Sequence, residues 1–175
     1  SIYSTDSAFA AVKTGGEVVT WGDREDGGDA QEVADRLASG VTSIFGTDSA
    51  FAALKQGGEV VTWGDPELGG DSHAVADRLA SGVTSIYSTD SAFAAVKTGG
   101  EVVTWGDRED GGDAQEVADR LASGVTSIFG TDSAFAALKQ GGEVVTWGDP
   151  ELGGDSHAVA DRLASGVTSI YSTDS

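Results

Sequence analysis

The chain has 175 residues, enough for one domain with a hydrophobic core, and 39% of them are apolar. Its 29 acidic residues outnumber ten basic ones, and the net charge of −19 disfavours binding to nucleic-acid phosphates. The lack of cysteine excludes disulfides and thiolate metal sites. No apolar run reaches the length of about 18 residues that a membrane span needs.

The sequence is a 42-residue unit repeated four times, so we predict one repeat domain over residues 1–175. Residues 1–84 and 85–168 are identical letter for letter, which indicates a recent amplification or deliberate engineering. The units are residues 1–42, 43–84, 85–126 and 127–168, and residues 169–175 repeat residues 1–7 as a partial unit.

Each unit opens with three predicted strands. In the first unit, residues 1–5 alternate apolar and polar side chains, and the small apolar residues 8–13 predict a second strand buried on both faces. Gly15 and Gly16 supply the positive φ angles of a tight hairpin turn, and residues 17–21 form the third strand. A three-stranded meander covered on both faces is typical of β-propeller blades.

A glycine-rich loop and a short helix are predicted to complete each unit. Asp29 is expected to be the N-cap, with Glu32 completing a capping box. In the second type of unit Asp71 takes the cap position, but Ala74 replaces the acid and weakens the cap. The apolar residues that share one face of the first helix are Ala30, Val33, Ala34 and Leu37.

The pattern of the unit resembles the blade of regulator-of-chromosome-condensation (RCC1-like) repeats. A Trp-Gly pair after a glycine hairpin is the most specific part of the resemblance, which covers nearly the whole chain. In the second unit it rests on Ile44, Ala53, Leu54, Lys55, Gly57, Gly58, Val60, Val61, Trp63, Gly64, Asp65, Gly69 and Gly70, and then on Leu79, Val83 and Ile86.

The unit also departs from that family. Family blades are longer, have four strands, and usually close a ring of seven, whereas here a helix stands in place of the outer strand. The family's histidine before the second strand is absent, with Ala50 or Phe51 near its place, and Asp23 and Asp65 replace the usual asparagine. The resemblance implies an interaction platform. Some members promote nucleotide exchange on small GTPases, but no residue here can be assigned that role.

The prediction is therefore a mainly β fold with short helices, in which tandem βββα units form propeller-like blades in an open or self-associating array. The alternative is a closed four-bladed propeller. Four blades need four first strands, and residues 169–175 supply a fifth, which favours the open array. Identical units also give the two ends complementary faces, so that head-to-tail association into fibres or larger rings becomes possible.

The loop after the third strand is acidic. Its carboxylates around a glycine bend are oxygen ligands of the kind that suits Ca²⁺, although their spacing is not that of an EF-hand. The residues concerned are Asp23, Glu25, Asp26 and Asp29. Roles in turns and caps are favoured for them, with calcium as the alternative, and no other cofactor is predicted.

No motif for catalysis is present, and we predict that the protein is not an enzyme. His73 and His157 stand alone, without a second ligand at metal-binding spacing. The tryptophans that end the third strands are expected in the core, with a surface-binding role as the alternative. They are Trp21, Trp63, Trp105 and Trp147.

The predicted function is a non-enzymatic repeat scaffold with a structural or protein-binding role. Its predicted partners are further copies of itself, in a head-to-tail or ring oligomer, and an unidentified protein, with neither nucleic acid nor membrane. The alternative is an acidic calcium-binding repeat protein.

Overall fold

A computed structural model describes residues 1–173 and shows four three-stranded antiparallel sheets in sequence order. The first two sheets contain β1 (Ile2–Ser4), β2 (Ala8–Val12), β3 (Val18–Gly22), β4 (Val41–Gly46), β5 (Ala50–Lys55) and β6 (Val60–Gly64). The last two contain β7 (Val83–Ser88), β8 (Ala92–Lys97), β9 (Val102–Gly106), β10 (Val125–Gly130), β11 (Ala134–Lys139) and β12 (Val144–Gly148). The mainly β fold predicted from the sequence is confirmed.

Each sheet is held in register by its hairpin turn and by aromatic pairs. The N–H of Gly16 donates to the carbonyl of Lys13 at 2.9 Å, so the chain reverses over Thr14 and Gly15, and the φ angles of 95° at Gly15 and 82° at Gly16 are ones that glycine adopts readily. This turn places Phe9 of β2 opposite Trp21 of β3, and every other sheet repeats the pairing. The aromatic side chains therefore gather on one face of each sheet.

Two short helical segments follow each sheet. The first is a single wide turn, at Arg24–Gly28, Pro66–Gly70, Arg108–Gly112 and Pro150–Gly154. The second is a 3₁₀-helix, at Gln31–Val33, His73–Val75, Gln115–Val117 and His157–Leu163.

The predicted helix cap is wrong in its details. The 3₁₀-helix begins after Ala30, which makes no side-chain cap bond, and Asp29 instead accepts a hydrogen bond from the N–H of Gln31 at 2.9 Å. Asp71 accepts in the same way from His73, at 2.8 Å, so the two types of unit do not differ here. The helix stays short because the carbonyl of Leu37 accepts a bond from Val18 at the start of β3, which draws this segment onto the sheet.

The units stack through a backbone ladder and a shared core. Near the start of each second strand, the N–H of Asp6 donates to the carbonyl of Asp48, and Asp48 donates to Asp90, at 2.9 and 2.8 Å. The leucine after each of the first three 3₁₀-helices packs into the core of the next unit, so that Leu37 joins Phe51 and other side chains of the second sheet. Each unit therefore depends on its neighbour, as in other repeat proteins.

The array is open. Among the described residues the sheets follow one another without closure, and aromatic side chains of the first sheet face solvent. The alternative of a closed four-bladed propeller is therefore wrong for this structure. Of the predicted partial unit at 169–175, the last two residues lie outside the described part of the chain.

Candidate interaction surfaces at the two ends of the array

Neighbouring units meet where the Phe–Trp pair of one unit packs against a loop glycine of the preceding unit. The indole N–H of Trp63 donates to the carbonyl of Gly27 in the preceding unit at 3.0 Å, and the ring centroids of Trp63 and Phe51 lie 5.3 Å apart. A Cβ on Gly27 would lie 2.6 Å from Cδ2 of Phe51, well inside van der Waals contact. Only glycine lets this loop approach the ring so closely.

The same contact occurs at the other two junctions. Trp105 donates to Gly69 at 3.1 Å, and Trp147 donates to Gly111 at 3.0 Å. All three tryptophans of the later units are buried, with 5% of their surface exposed. Their carbonyl partners lie 36 residues earlier in the chain, a pairing that neither local pattern nor motif predicted.

One half of a further junction is exposed in the first sheet. Trp21 stacks on Phe9 with ring centroids 5.4 Å apart, yet 45% of its surface is exposed, since no loop of the described chain packs against it. Its indole N–H has no hydrogen-bond partner within residues 1–173. We call this surface the Trp21 face, which consists of Ile2, Phe9, Val19 and Trp21, all exposed.

The other half is exposed in the last unit, on the loop Pro150–Gly154, which we call the Gly153 loop. A Cβ on Gly153 would meet nothing within 4 Å, unlike those on the equivalent glycines of the earlier loops. Leu163 is half-buried, whereas its equivalents Leu37 and Leu79 are 2% exposed. The first and last units thus expose matching halves of one internal contact.

An ion pair crosses each internal junction as well. Arg36 contacts Glu59 at 2.8 Å and also donates to the carbonyl of Val60, and two further pairs repeat this arrangement. The repeats are Arg78 with Glu101 and Arg120 with Glu143, both at 2.7 Å. At the ends, Arg162 has no carboxylate partner in the described chain, and Glu17 pairs with Lys13 of its own hairpin at 2.6 Å.

The acidic loop uses two of its four predicted calcium ligands internally. Asp23 accepts from the N–H of Glu25 at 2.9 Å, and Asp29 contacts Arg24 at 2.7 Å. The hydrogen bond from the backbone of Gln31, and then the bond from Arg24, hold the pKa of Asp29 below its ordinary value. The carboxylate of Asp29 therefore favours the charged form, and both carboxylates already engage protein groups.

A cleft of about 290 Å³ runs along the stacked units where their second strands begin. It is lined by Asp6, Asp48 and Asp90 and by threonines of each unit. Burial, and next the charge of Asp6, raise the pKa of Asp48 above its ordinary value. The carboxylates here repel one another, an effect that no pattern within a single unit predicts because the groups come from different units.

Within residues 1–173, no three carboxylate or imidazole groups come together in a way that would hold a metal ion. His73 and His157 lie on separate units, each at the start of a 3₁₀-helix. Among the described residues no helix has both the length and the apolar character of a membrane span.

Comparison with known proteins shows a likeness of fold. No protein-family profile matches the chain, and no curated protein sequence matches it. Among solved structures, yeast RCC1 (Prp20) bound to Kap60 aligns over 85% of this chain and 41% of its own, at 16% identity and a TM-score of 0.55. Human WBSCR16 aligns over 94% of this chain and 50% of its own, at 17% identity and a TM-score of 0.52.

A plant protein shows the same likeness. The ectodomain of the receptor kinase CR4 from Physcomitrella patens aligns over 84% of this chain and 40% of its own, at 18% identity and a TM-score of 0.54. This chain therefore spans half or less of each of these three structures. At these identities the likeness shows a shared fold, that of stacked propeller-type blades.

Proposed function

We propose that this chain is a non-enzymatic repeat scaffold whose Trp21 face binds the Gly153 loop of another copy, so that copies join head to tail. We further propose that its units are a shortened form of the RCC1-like blade, and that the assembled array presents its surface to other proteins. The observation that carries the proposal is the exposure of two matching half-junctions at opposite ends.

The chemistry of the two ends supports this pairing. The Trp21 face offers an indole N–H and two stacked rings, and the Gly153 loop offers a carbonyl with open space above its Cα. Docking would bury an exposed apolar surface, which is the main driving force of association. It would also give the Trp21 indole the hydrogen bond that the other three tryptophans already make.

The test is the mass of the 175-residue chain in solution across a concentration series, by analytical ultracentrifugation. We expect the mass to grow with concentration. Trp21→Ala should raise the concentration needed for assembly by at least about thirtyfold, because large hot-spot residues contribute about 2 kcal/mol or more at interfaces. A constant mass of one chain at the highest concentrations would exclude head-to-tail assembly.

The matched control is Trp105→Ala, which removes the same side chain from an internal junction. This variant should lower the stability of the monomer by about 3–5 kcal/mol, since its ring is buried. Trp21→Ala should leave the monomer's denaturation midpoint almost unchanged, which separates loss of assembly from loss of folding.

A further inference from the structure

We propose that the segment 167–172 of one copy pairs with β2 of a second copy and takes the place of that copy's own β1. This strand exchange rests on the head-to-tail association proposed above and names the segment that joins the copies. It assigns a role to the residues at the end of the chain that repeat the start of a unit and that join no sheet within the described chain.

The first strand of the first sheet makes fewer contacts than its equivalents. β1 pairs with β2 over three residues, whereas β7 pairs with β8 from Val83 to Ser88. In that third sheet, the hydroxyl of Thr84 donates to the carbonyl of Val96 at 3.0 Å, and the N–H of Thr98 donates to Gly82 at 2.9 Å. In the first sheet this end of the strand holds only the bonds between Ser1 and Val12.

The segment 167–172 has the sequence of a complete first strand. Its letters, VTSIYS, are those of β7, and the strand it would join, residues 8–13, has the letters of β8. The first residues of this segment are already positioned by backbone bonds. Gly166 and Val167 donate to Gly141 and Gly142 at 3.0 and 3.1 Å, just as Gly82 and Val83 donate to Gly57 and Gly58 in the second unit.

Beyond that start the segment has no strand partner in the described chain. No strand is assigned between residues 164 and 173, and Tyr171 is 89% exposed, whereas the equivalent Tyr87 is half-buried. A β-branched and aromatic segment with free backbone groups is ready to complete another sheet. Identical letters make β2 of a second copy the edge that fits it.

Exchange would add the bonds that β1 does not make. In the register of β7 and β8, Val167 would lie opposite Lys13 of the second copy, and the hydroxyl of Thr168 would donate to the carbonyl of its Val12. The exchanged strand would have five paired residues where β1 has three, and these two further pairs favour it.

The same arrangement would pair charged side chains at the two ends that make no ion pair with another unit in the described chain. Arg162 would reach Glu17 of the second copy, as Arg78 reaches Glu101 at 2.7 Å within the chain. Lys13, which holds Glu17 in the single chain, would be free to take the position of Lys55, whose Nζ donates to the carbonyl of Arg36 at 2.6 Å. Charge complementarity therefore points to a second copy as the occupant.

The test compares the same substitution in two identical sequence contexts. Ser1 and Val12 exchange hydrogen bonds, so by the alternation of antiparallel ladders Tyr3 and Ala10 do too. Tyr3→Pro and Tyr171→Pro each remove that N–H donor, the first from β1 and the second from the segment 167–172. Tyr171→Phe is the control, since phenylalanine stands at the equivalent positions 45 and 129.

With the full chain in ultracentrifugation, Tyr171→Pro should raise the assembly concentration at least about tenfold, while Tyr3→Pro and Tyr171→Phe should change it less than about threefold. Equal weakening by both proline variants, or weakening by Tyr3→Pro alone, would overturn strand exchange and leave head-to-tail docking standing. Failure of the unmodified chain to assemble would overturn both. Far-UV circular dichroism checks that each variant is folded.

Discussion

At the scale of single residues, the contact between glycine and phenylalanine decides whether two units fit. Gly69 and Gly153 occupy the same position in loops of identical sequence, and their φ angles are 106° and 112°. A Cβ at Gly69 would lie 2.6 Å from the ring of Phe93, whereas one at Gly153 would meet nothing. The two sites therefore share the backbone strain and differ only in packing.

We predict that Gly69→Ala destabilises the monomer more than Gly153→Ala does, by about 1–3 kcal/mol, the usual cost of overpacking. Both variants carry the cost of an alanine at positive φ, so the difference isolates the clash with Phe93. Urea denaturation at a concentration below assembly measures it. Equal losses of stability would mean that the loop moves away from the ring at no cost.

The aspartates that line the cleft along the stacked units are a second feature at the scale of single residues. Burial, and then repulsion from Asp6 and Asp132, raise the pKa of Asp48 above its ordinary value of 3.8. The folded state therefore binds a proton there more readily than the unfolded chain. This stabilising contribution is complete below the unfolded pKa and is lost as the pH rises through the folded pKa.

It follows that Asp48→Asn should raise stability at pH 7 and should lose that advantage when the pH falls below about 4. The gain should be no more than about 0.5 kcal/mol, since the carboxyl keeps contact with solvent, which screens its charge. Thermal unfolding of both proteins at the two pH values provides the measurement. An asparagine variant that is less stable at pH 7 would contradict mutual repulsion in the cleft.

At the scale of secondary-structure elements, local chemistry explains which predictions hold. The hairpins follow from two glycines at the turn and from the apolar runs on either side of it, which are neighbours in the sequence, and the structure has them. The helix in the structure is shorter than the predicted one. The apolar residues that suggested a longer helix are spaced to contact the sheets and do not continue a helix. Leu37 is buried in the next unit while its carbonyl bonds to β3.

The contacts between elements were beyond the reach of the sequence. Trp63 was expected in the core from its place at the end of a strand, but its partner Gly27 belongs to another unit. For the segment that contains this glycine, the sequence predicts only a glycine-rich loop. A repeat of identical units does imply that one end fits the other, yet which atoms meet depends on how neighbouring sheets stack.

At the scale of the whole molecule, charge opposes the assembly that the end faces favour. Every copy carries a net charge of −19, and copies brought together repel one another over distances comparable to the Debye length. That length falls from about 30 Å at 0.01 M salt to about 8 Å at 0.15 M. Screening should therefore remove much of the repulsion between copies.

Salt also weakens the contact that we propose between Arg162 and Glu17 of a second copy, but this effect is smaller. A single exposed ion pair contributes about 0–1 kcal/mol, whereas the repulsion involves the whole acidic surface of both copies. We therefore predict that raising sodium chloride from 0.01 to 0.15 M lowers the assembly concentration at least about threefold. Sedimentation at both salt concentrations measures this, and Arg162→Gln should show the same direction of change. Assembly that weakens with salt would mean that ion pairs, rather than the Trp21 face, hold the copies together.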